Sequence, residues 1–483
     1  MRLNSQKCFA LALIISTTYG NSWAEIKPTY KITLDPEKQS HQVTICLPRA
    51  ETIWWTPAYE IIPYLRFENA TARTISTGLP RGRIQLNSPP PPCVQYGMDW
   101  RRARTTLSAD LLRKVGADWL ISPQLLLLYP QNLPIRANTH IEIKVPLGYY
   151  VSTPWRLVSN TEPGSRVYHF PGSPPEWPSL IAISRNSPIT LTAKTTRVEL
   201  QIMDKTRFRN LPKLIAWIQQ SLDALTLVYG KLPQPFIQIV VVPTSDERSA
   251  NYFAQVVRGG SPALQFFIPA DPAIAHLKKT GVAIHELSHL LLPQLEREDA
   301  WFSEGLATYY QYCLSARQGE RTEQQTWTAL HQGFVHAQKA LHRQTLNLSS
   351  RDMHRDQSAI RVYWTGAAIM LLADWQLRQR TANKKSLDTT LLKLAQCCLH
   401  QPRTWSGKEL ALKLDALSGE SVFIEMYNRY ATSTQFPDLK PLYTALGLRA
   451  WGRSLYLNEE APDLAIRNAL MRSVEPQTNT KGD

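Results

Sequence analysis

Long uninterrupted apolar runs are scarce in this chain of 483 residues. One lies near the amino terminus, at 8–15, and is too short to span a bilayer. It follows the basic residues Arg2 and Lys7 and precedes small residues at 22–24, which is the pattern of a secretory signal peptide. We therefore expect residues 1–24 to be removed, the mature chain to have no membrane span, and the protein to be exported, either periplasmic or secreted.

Cysteine is also sparse, with six residues and no C-x-x-C pair, so we expect no cysteine-ligated metal site. Export would permit disulfides. Cys46 could pair with Cys93, and Cys313 could pair with Cys397 or Cys398, while buried free thiols are the alternative for each. Because signal-peptide cleavage leaves an odd number of cysteines, at least one thiol is expected to stay unpaired.

Acidic residues are outnumbered, with 39 Asp and Glu against 54 Lys and Arg and a net charge of +15. Such an excess can indicate an anionic partner. The basic residues are scattered along the chain, however, and neither zinc-knuckle spacing nor an aromatic RNA-binding pattern accompanies them. We interpret the charge as a solvated surface and expect no nucleic-acid partner.

The most informative feature present is the pentapeptide H-E-L-S-H at 285–289. Four residues make about one helical turn, so His285 and His289 would project from the same helix face and could hold one metal ion. Glu286 would lie beside the metal, where it could take a proton from a water molecule. The surrounding segment 273–292 is largely apolar and contains no Pro, which predicts a buried helix.

A catalytic zinc needs a third protein ligand and one open position. Glu304 is the candidate, fifteen residues after His289, in a second predicted helix that begins near Ser303, a residue that could cap it. A polar loop at 296–299 separates the two helices, so they could pack side by side and bring Glu304 to the metal. The alternative for Glu304 is an ordinary first-turn carboxylate that faces the helix dipole.

The stretch around Glu304, W-F-S-E-G-L-A-T-Y-Y at 301–310, resembles the W-x-x-E-G-x-A-x-Y-Y signature of the gluzincin metallopeptidases. The chain is most similar to the glycyl aminopeptidase family, with the aminopeptidase N group as relatives. A second match, Y-W-T-G-A-A at 363–368, is similar to the family's Y-x-K-G-A motif. The resemblance implies Zn²⁺ as cofactor, a peptide or protein substrate, and Tyr363 as hydrogen-bond donor to the oxyanion; a core aromatic is the alternative for Tyr363.

The chain departs from both groups in ways that indicate a divergent branch. The stretch between the second His and the Glu is shorter than in either group. Thr365 occupies the position of the motif's Lys, and the 35 residues after Leu448 are too few for the PDZ domain that usually follows in glycyl aminopeptidases. We therefore expect a compact member without that domain.

The aminopeptidases carry an acidic residue on an edge strand before the zinc helix, which holds the free amino group of the substrate. The corresponding stretch here, 258–265, contains no acid. We predict Gly259, Gly260 and Ser261 as substrate-binding residues, and the strand that begins at Ala263 as the sheet edge to which an extended peptide would add. The missing acid leaves aminopeptidase and endopeptidase activity both open.

The predicted fold class is α+β. Alternating patterns predict strands at 30–34, 42–47 and 141–145, and a helix of amphipathic period at 211–225 precedes buried strands at 236–242 and 263–268. The predicted organisation is a signal peptide at 1–24, a β-sandwich-like N-terminal domain at 25–195, a thermolysin-like (gluzincin) catalytic domain at 196–380, a helical C-terminal domain at 381–450, and a tail at 451–483, disordered after about 466.

The leading functional hypothesis is an exported zinc metallopeptidase. His285, His289 and Glu304 would hold Zn²⁺, Glu286 would act as general base, and Tyr363 would stabilise the oxyanion. The alternative is a catalytically lapsed, peptidase-like binding or scaffold protein. The presence of all five residues argues against that alternative, because a lapsed enzyme has no need to keep them.

Overall fold

The computed structural model describes residues 29–47, 50–76, 81–132, 139–244, 253–270, 274–340 and 343–472. The predicted signal peptide and the last part of the predicted tail, from 473 onward, lie outside these ranges. Within them, none of the helices combines the length and apolar character needed to cross a bilayer.

The N-terminal region consists mainly of strands with alternating buried and exposed side chains. Its predicted strands at 30–34, 42–47 and 141–145 are confirmed. The elements are β1 (Thr29–Asp35), β2 (Ser40–Cys46), β3 (Ile53–Thr56), β4 (Arg66–Phe67), β5 (Ala72–Ser76), β6 (Gly82–Leu86), β7 (Cys93–Asp99), α1 (Trp100–Ala103), β8 (Leu112–Val115), β9 (Asp118–Ile121), α2 (Pro123–Leu126), β10 (Tyr129–Pro130), β11 (Thr139–Lys144), β12 (Tyr150–Ser152), β13 (Arg156–Glu162), β14 (Ser165–Phe170) and β15 (Ile181–Ser184).

Three sheets of this region enclose one hydrophobic core. A seven-stranded sheet has the order β13-β14-β11-β1-β2-β7-β4, and two four-stranded sheets have the orders β10-β3-β6-β5 and β12-β15-β9-β8. Tyr30 on β1, Trp54 on β3 and Trp119 on β9 come from different sheets and are all buried in the shared core. A disulfide joins Cys46 to Cys93 across β2 and β7, which is one of the two possibilities that the sequence left open.

The next region carries a five-stranded sheet with the order β16-β17-β18-β20-β19. β16 falls inside the range predicted for the N-terminal domain, yet it pairs with this second sheet. The predicted helix at 211–225 and the predicted buried strands are confirmed. The elements are β16 (Ile189–Ala193), β17 (Thr196–Ile202), α3 (Leu211–Thr226), β18 (Phe236–Thr244), β19 (Phe253–Val257), β20 (Ala263–Pro269), α4 (Ile274–Thr280) and α5 (Val282–Ser288).

Both faces of the five-stranded sheet are covered, which explains why its parallel strands read as continuous apolar runs. On one face, Ile239 and Val241 of β18 pack in the same core as Leu222 of α3. On the other face, Val240 packs with Leu120 of β9 in the N-terminal region. The sheet therefore joins the two regions. One of its faces packs on the N-terminal region, and the other packs on α3 and the helices that follow.

The remainder of the described chain is helical apart from one hairpin. Its helices share a single core with the five-stranded sheet and α3, so residues 381–450 do not have a core of their own. The elements are α6 (Ala300–Arg317), α7 (Glu323–Lys339), α8 (Leu346–Arg351), α9 (Ala359–Arg380), α10 (Leu387–Cys397), α11 (Gly407–Ser418), α12 (Val422–Tyr430), α13 (Lys440–Leu446), β21 (Leu448–Trp451), β22 (Ser454–Leu457) and α14 (Leu464–Met471).

The prediction of disorder after about 466 is wrong for residues up to 471, which belong to α14. Leu470 is fully buried in the shared core. Arg467 is also fully buried, and its guanidinium bonds Glu323 at 2.8 Å and Glu459 at 2.7 Å. The segment is thus held in place by the burial of Leu470 and by ion pairs of Arg467 with Glu459, eight residues away, and with Glu323, 144 residues away along the chain.

Of the two possibilities left open for Cys313, the structure has the buried free thiol and not a disulfide with Cys397 or Cys398. Cys397 and Cys398 are joined to each other at the end of α10. Cys313 is a free thiol, fully buried on α6, and burial raises its pKa to about 12. Among the cysteines that the structure describes, Cys313 is the free thiol, and it lies inside the helical core.

Candidate active site

The zinc-helix segment is broken, not continuous as predicted. Gly281 adopts a left-handed conformation with φ of 68° between α4 and α5, a conformation that glycine accepts without steric cost. α5 then carries His285, and a 3₁₀ turn at His289–Leu291 continues it, so the two histidines remain one turn apart. Both are buried, and their rings meet edge to face at a centroid distance of 5.1 Å.

α6 packs beside α5 and supplies Glu304. The close approach of α6 to α9 depends on two glycines of the motifs. A Cβ built on Gly305 would lie 2.3 Å from the carbonyl carbon of Gly366, so the two helix backbones touch where both motifs have glycine. This contact holds Glu304 and Tyr363, which stand one and three residues from the glycines, against the same site.

We expect Gly305→Ala to lower the stability of the protein by about 1–3 kcal/mol, because the added methyl group would separate two backbones that cannot give way. Helix propensity alone predicts the opposite sign, since Ala is favoured over Gly by about 1 kcal/mol inside a helix. The midpoint of urea unfolding measures the difference. An unchanged or higher midpoint would contradict the tight helix contact.

The three predicted ligands meet around one point. Glu304 Oε2 lies 3.2 Å from His285 Nε2 and 3.5 Å from His289 Nε2. A tetrahedral zinc with bonds of about 2.0–2.1 Å separates its ligand atoms by about 3.3 Å. Two imidazoles and one carboxylate are also a donor set that catalytic zinc uses. The residues present therefore fit Zn²⁺ in both spacing and chemistry.

Each imidazole is oriented by a partner on its other nitrogen. His285 Nδ1 lies 3.1 Å from Gln311 Oε1, and His289 Nδ1 lies 2.9 Å from Ser303 Oγ. An amide oxygen at Nδ1 of His285 favours the tautomer with its hydrogen on Nδ1, in which the Nε2 lone pair faces Glu304 and is free for a metal; the Ser303 hydroxyl can support the same tautomer in His289. Such outer hydrogen bonds fix the tautomer of a metal-binding histidine, so this arrangement supports the zinc interpretation.

Gln311 was not predicted, although its position gives a signal: it lies seven residues, about two helical turns, after Glu304 on α6. The predicted role of Ser303 as helix cap is wrong, because α6 begins earlier, with Asp299 as its N-cap residue. The Asp299 carboxylate instead bonds the Gly407 amide at 2.5 Å. Ser303 lies inside the first turn of α6, where its hydroxyl reaches His289.

Glu286 and Glu304 are two carboxyls whose environments push their ionisation in opposite directions. Burial raises the pKa of Glu286 above its ordinary value, despite the two imidazoles nearby. Burial also opposes ionisation of Glu304, but His289 and His285 lower its pKa overall. A low pKa suits a metal-binding carboxylate, and a raised pKa suits a group that must accept and release a proton near neutrality.

Tyr363 lies against the first histidine. Its ring stacks on the ring of His285 with a centroid distance of 5.6 Å and an interplanar angle of 24°. Burial and the negative charge of Glu304 raise the pKa of the Tyr363 phenol far above its usual range. The hydroxyl therefore stays protonated at neutral pH and is available as a donor beside the three ligands.

The two tyrosines that end the W-x-x-E-G-x-A-x-Y-Y stretch have structural roles. Tyr309 donates to Asp374 at 2.8 Å, and Tyr310 donates to Asp388 at 2.6 Å. Arg317 binds the same Asp388 at 3.0 Å, so α6 is tied to α9 and α10 by buried, charge-assisted hydrogen bonds. This network holds the Glu304 helix in place from its far side.

Gly259, Gly260 and Ser261 lie in the loop between β19 and β20 and are held by the N-terminal region. The Gly259 amide donates to Pro178 O at 2.9 Å, and the Ser261 amide donates to Pro154 O at 2.8 Å. A Cβ on Gly259 would lie 2.5 Å from the carbonyl oxygen of Trp177. The structure thus does not bring these residues into the metal cluster, and it uses their amide groups for domain contact.

The prediction that the strand at Ala263 forms the sheet edge is wrong. That strand is β20, which pairs with β18 on one side and β19 on the other. β19 (Phe253–Val257) lies at this edge of the sheet and runs antiparallel to β20, and no other described strand pairs with its outer side. A loop of five residues, 258–262, reverses the chain between the two strands.

Known proteins resemble this chain in structure but not closely in sequence. No profile of a known protein family and no curated protein matches the chain in sequence. An aminopeptidase N family protein from Idiomarina loihiensis is similar in structure, with a TM-score of 0.65 at 16% identity over 87% of this chain and 78% of that one.

Two further solved structures have the same architecture. An M1 zinc metallopeptidase variant from Deinococcus radiodurans, bound to a Tyr-Ser-Ala substrate, has a TM-score of 0.55 at 15% identity over 86% of this chain and 95% of that one. Yeast LTA4 hydrolase in complex with bestatin has a TM-score of 0.53 at 12% identity over 85% of this chain and 68% of that one. The chain has the α+β fold of the aminopeptidase N-like M1 zinc metallopeptidases, as the resemblance of its motifs implied.

Proposed function

We propose that the protein is a zinc-dependent peptidase. The observation that carries the proposal is the meeting of His285 Nε2, His289 Nε2 and Glu304 Oε2 at distances that suit one tetrahedral ion, with Glu286 beside them. Zinc in this position would supply Lewis acidity, polarising the substrate carbonyl and lowering the pKa of water to about 7. The fold that the chain shares with M1 zinc metallopeptidases supports the same conclusion.

The residues of the chain have distinct roles in peptide hydrolysis. Glu286 takes the proton from the attacking water and passes it to the leaving amine nitrogen, which its raised pKa favours. Tyr363 donates a hydrogen bond to the carbonyl oxygen as that oxygen becomes negative. Hydrolysis of a mixed peptide library, abolished by a chelator and restored by zinc, is the direct test; no cleavage by the zinc-loaded protein would overturn the proposal.

Tyr363→Phe is expected to lower kcat by about 10²–10³-fold, because it removes one donor to the developing oxyanion. Zinc content should not change, since the ring can still stack on His285. Tyr312→Phe is a matched control: Tyr312 packs on Trp364, beside Tyr363, and its ring is not part of the ligand cluster. Steady-state kinetics and metal analysis of both variants check the prediction, which an unchanged kcat for Tyr363→Phe would contradict.

We further propose that cleavage does not require a free amino terminus. The loop 258–262 at the end of edge strand β19 contains no acid and begins with the cation Arg258, which is unsuited to hold an ammonium group. An extended peptide could instead pair with the free edge of β19. Matched peptides with free and N-acetylated termini separate the two activities, and loss of cleavage on acetylation would overturn this part of the proposal.

Export remains part of the proposal. Residues 1–24 have the composition of a signal peptide, and the disulfide between Cys46 and Cys93 is of a kind that persists in oxidising compartments. The mature chain should then begin at Glu25 when the full sequence is expressed in a secreting host. Mass spectrometry of the intact protein checks this, and an uncleaved amino terminus would contradict it.

A further inference from the structure

A cavity of about 320 Å³ lies next to the end of the zinc helix. Its walls come from three parts of the fold. Trp177 belongs to the N-terminal region, Leu290 and Leu292 directly follow the second histidine, and His400 belongs to the segment after α10. Arg258, from the loop between β19 and β20, is the one Lys or Arg side chain among the described residues that line it, and none of those residues is acidic.

Arg258 is a half-buried cation without a carboxylate partner among the described residues. Its guanidinium donates to His289 O at 2.8 Å, Leu292 O at 3.3 Å and Gln294 Oε1 at 3.1 Å. These acceptors are neutral, and a guanidinium has five N–H donors, so two remain for a ligand. Burial lowers the pKa of Arg258 to about 10, which still leaves it fully charged near neutral pH.

The cavity also lies at the end of β19, the strand along which a peptide would bind. Arg258 is the residue that directly follows β19, the free edge of the sheet. A peptide that paired with β19 would therefore run toward Arg258 at one of its ends. In the same place Arg258 binds the carbonyl of His289, so its guanidinium lies next to the metal-ligand helix.

From this arrangement we propose that the cavity is a subsite for a carboxylate carried by the substrate, either an acidic side chain or the carboxyl terminus of the peptide, and that Arg258 is its anchor. The inference rests on the proposed peptidase function. A carboxylate would supply the negative charge that Arg258 lacks among the described residues, and it would accept a charge-assisted hydrogen bond from the Nε or Nη1 hydrogen that the three neutral acceptors leave free. The apolar walls formed by Trp177, Leu290 and Leu292 would strengthen the attraction by excluding water.

The test measures peptide binding to the zinc-loaded Glu286→Gln variant, which holds substrate without cleaving it. Short peptides of one sequence carry Glu or Gln at each position in turn, and the carboxyl terminus is free or amidated. We expect at least ~10-fold tighter binding of the carboxylate at one of these places. The position with this preference shows whether the subsite binds an acidic side chain or the carboxyl terminus of the peptide. Equal affinities for every acid and amide pair would overturn the proposal.

Arg258→Gln in the same background should remove this preference. Because it also removes the bonds to His289 and Leu292, a second variant is needed that leaves those bonds intact. Gln401 lies exposed at the rim of the cavity. Gln401→Glu should therefore leave the core undisturbed and, because like charges repel, weaken the binding of peptides that carry the carboxylate. Arg73→Gln, a charge change at an exposed position of the N-terminal region, is the matched control and should leave the preference unchanged.

The two proposals can fail separately. Cleavage of Glu and Gln peptides by the unaltered protein at equal rates, together with equal affinities, would refute the carboxylate subsite and leave the peptidase standing. A carboxylate preference in binding, without cleavage of any peptide by the zinc-loaded protein, would refute the peptidase and support the subsite. A preference that survives both Arg258→Gln and Gln401→Glu would exclude Arg258 as its anchor.

Discussion

Glu286→Gln is expected to keep zinc at the level of the unaltered protein while hydrolysis falls by at least ~10²-fold. Glu286 is beside the ligand cluster but is not one of the three grouped ligands, so its replacement by an isosteric amide should leave the donors in place. An amide cannot accept the proton of the attacking water or return it to the leaving nitrogen. Metal content and single-turnover cleavage, measured on the same preparation, separate the two effects.

Glu298→Gln provides a matched control, because Glu298 is an exposed acid on the loop before α6. It changes the net charge equally and should leave kcat intact. Undiminished turnover in Glu286→Gln would remove the proposed general base. Joint loss of zinc and activity in that variant would instead show that Glu286 holds the site together.

Glu304→Gln is expected to lower zinc affinity by at least ~10²-fold and to abolish hydrolysis with it. Glu304 supplies the anionic ligand, and its ionised state is stabilised by His289 and His285. The substitution replaces that anionic ligand with a neutral amide, so the two imidazoles remain as the strong ligands of the ion. Competition with a chelator of known affinity measures the change, and circular dichroism should show that the fold is kept.

A graded comparison sharpens this prediction. Gln311→Ala removes the partner of His285 Nδ1 but no ligand atom, so it should weaken zinc binding by a smaller amount, about 10–100-fold. If Glu304→Gln bound zinc as well as the unaltered chain does, the third ligand would have to come from another residue. If Gln311→Ala were the more damaging change, the assignment of inner and outer positions would be reversed.

The grouping of His285, His289 and Glu304 could be predicted because the relations among these residues are local. His285 and His289 are separated by one helical turn, and this spacing can be read directly from the sequence. The spacing is kept even though the helix is shorter than predicted. Glu304 could be proposed because the next helix follows after a short connection. The two motifs also contain the glycines Gly305 and Gly366, which the close contact between α6 and α9 requires.

Predictions failed where residues distant in sequence decide the outcome. Whether Cys313 forms a disulfide stayed open because the sequence does not reveal that α6 faces the core at this point. The segment around Arg467 was predicted to be disordered because its partner Glu323 lies 144 positions away. In both cases the deciding contact is absent from the local pattern, and only the packed structure supplies it.

The sequence by itself determined the candidate metal ligands, the candidate general base and the α+β architecture, because each depends on periodicity or on spacing within neighbouring elements. The tertiary structure decided which strand is the open edge, which acceptors orient His285 and His289, and how the loop at 259–261 is held by the N-terminal region. It also placed Arg258, a cation without a carboxylate partner in the described part of the chain, beside a cavity. These features arise from chain crossings and long-range contacts, for which a single sequence carries no periodic signal.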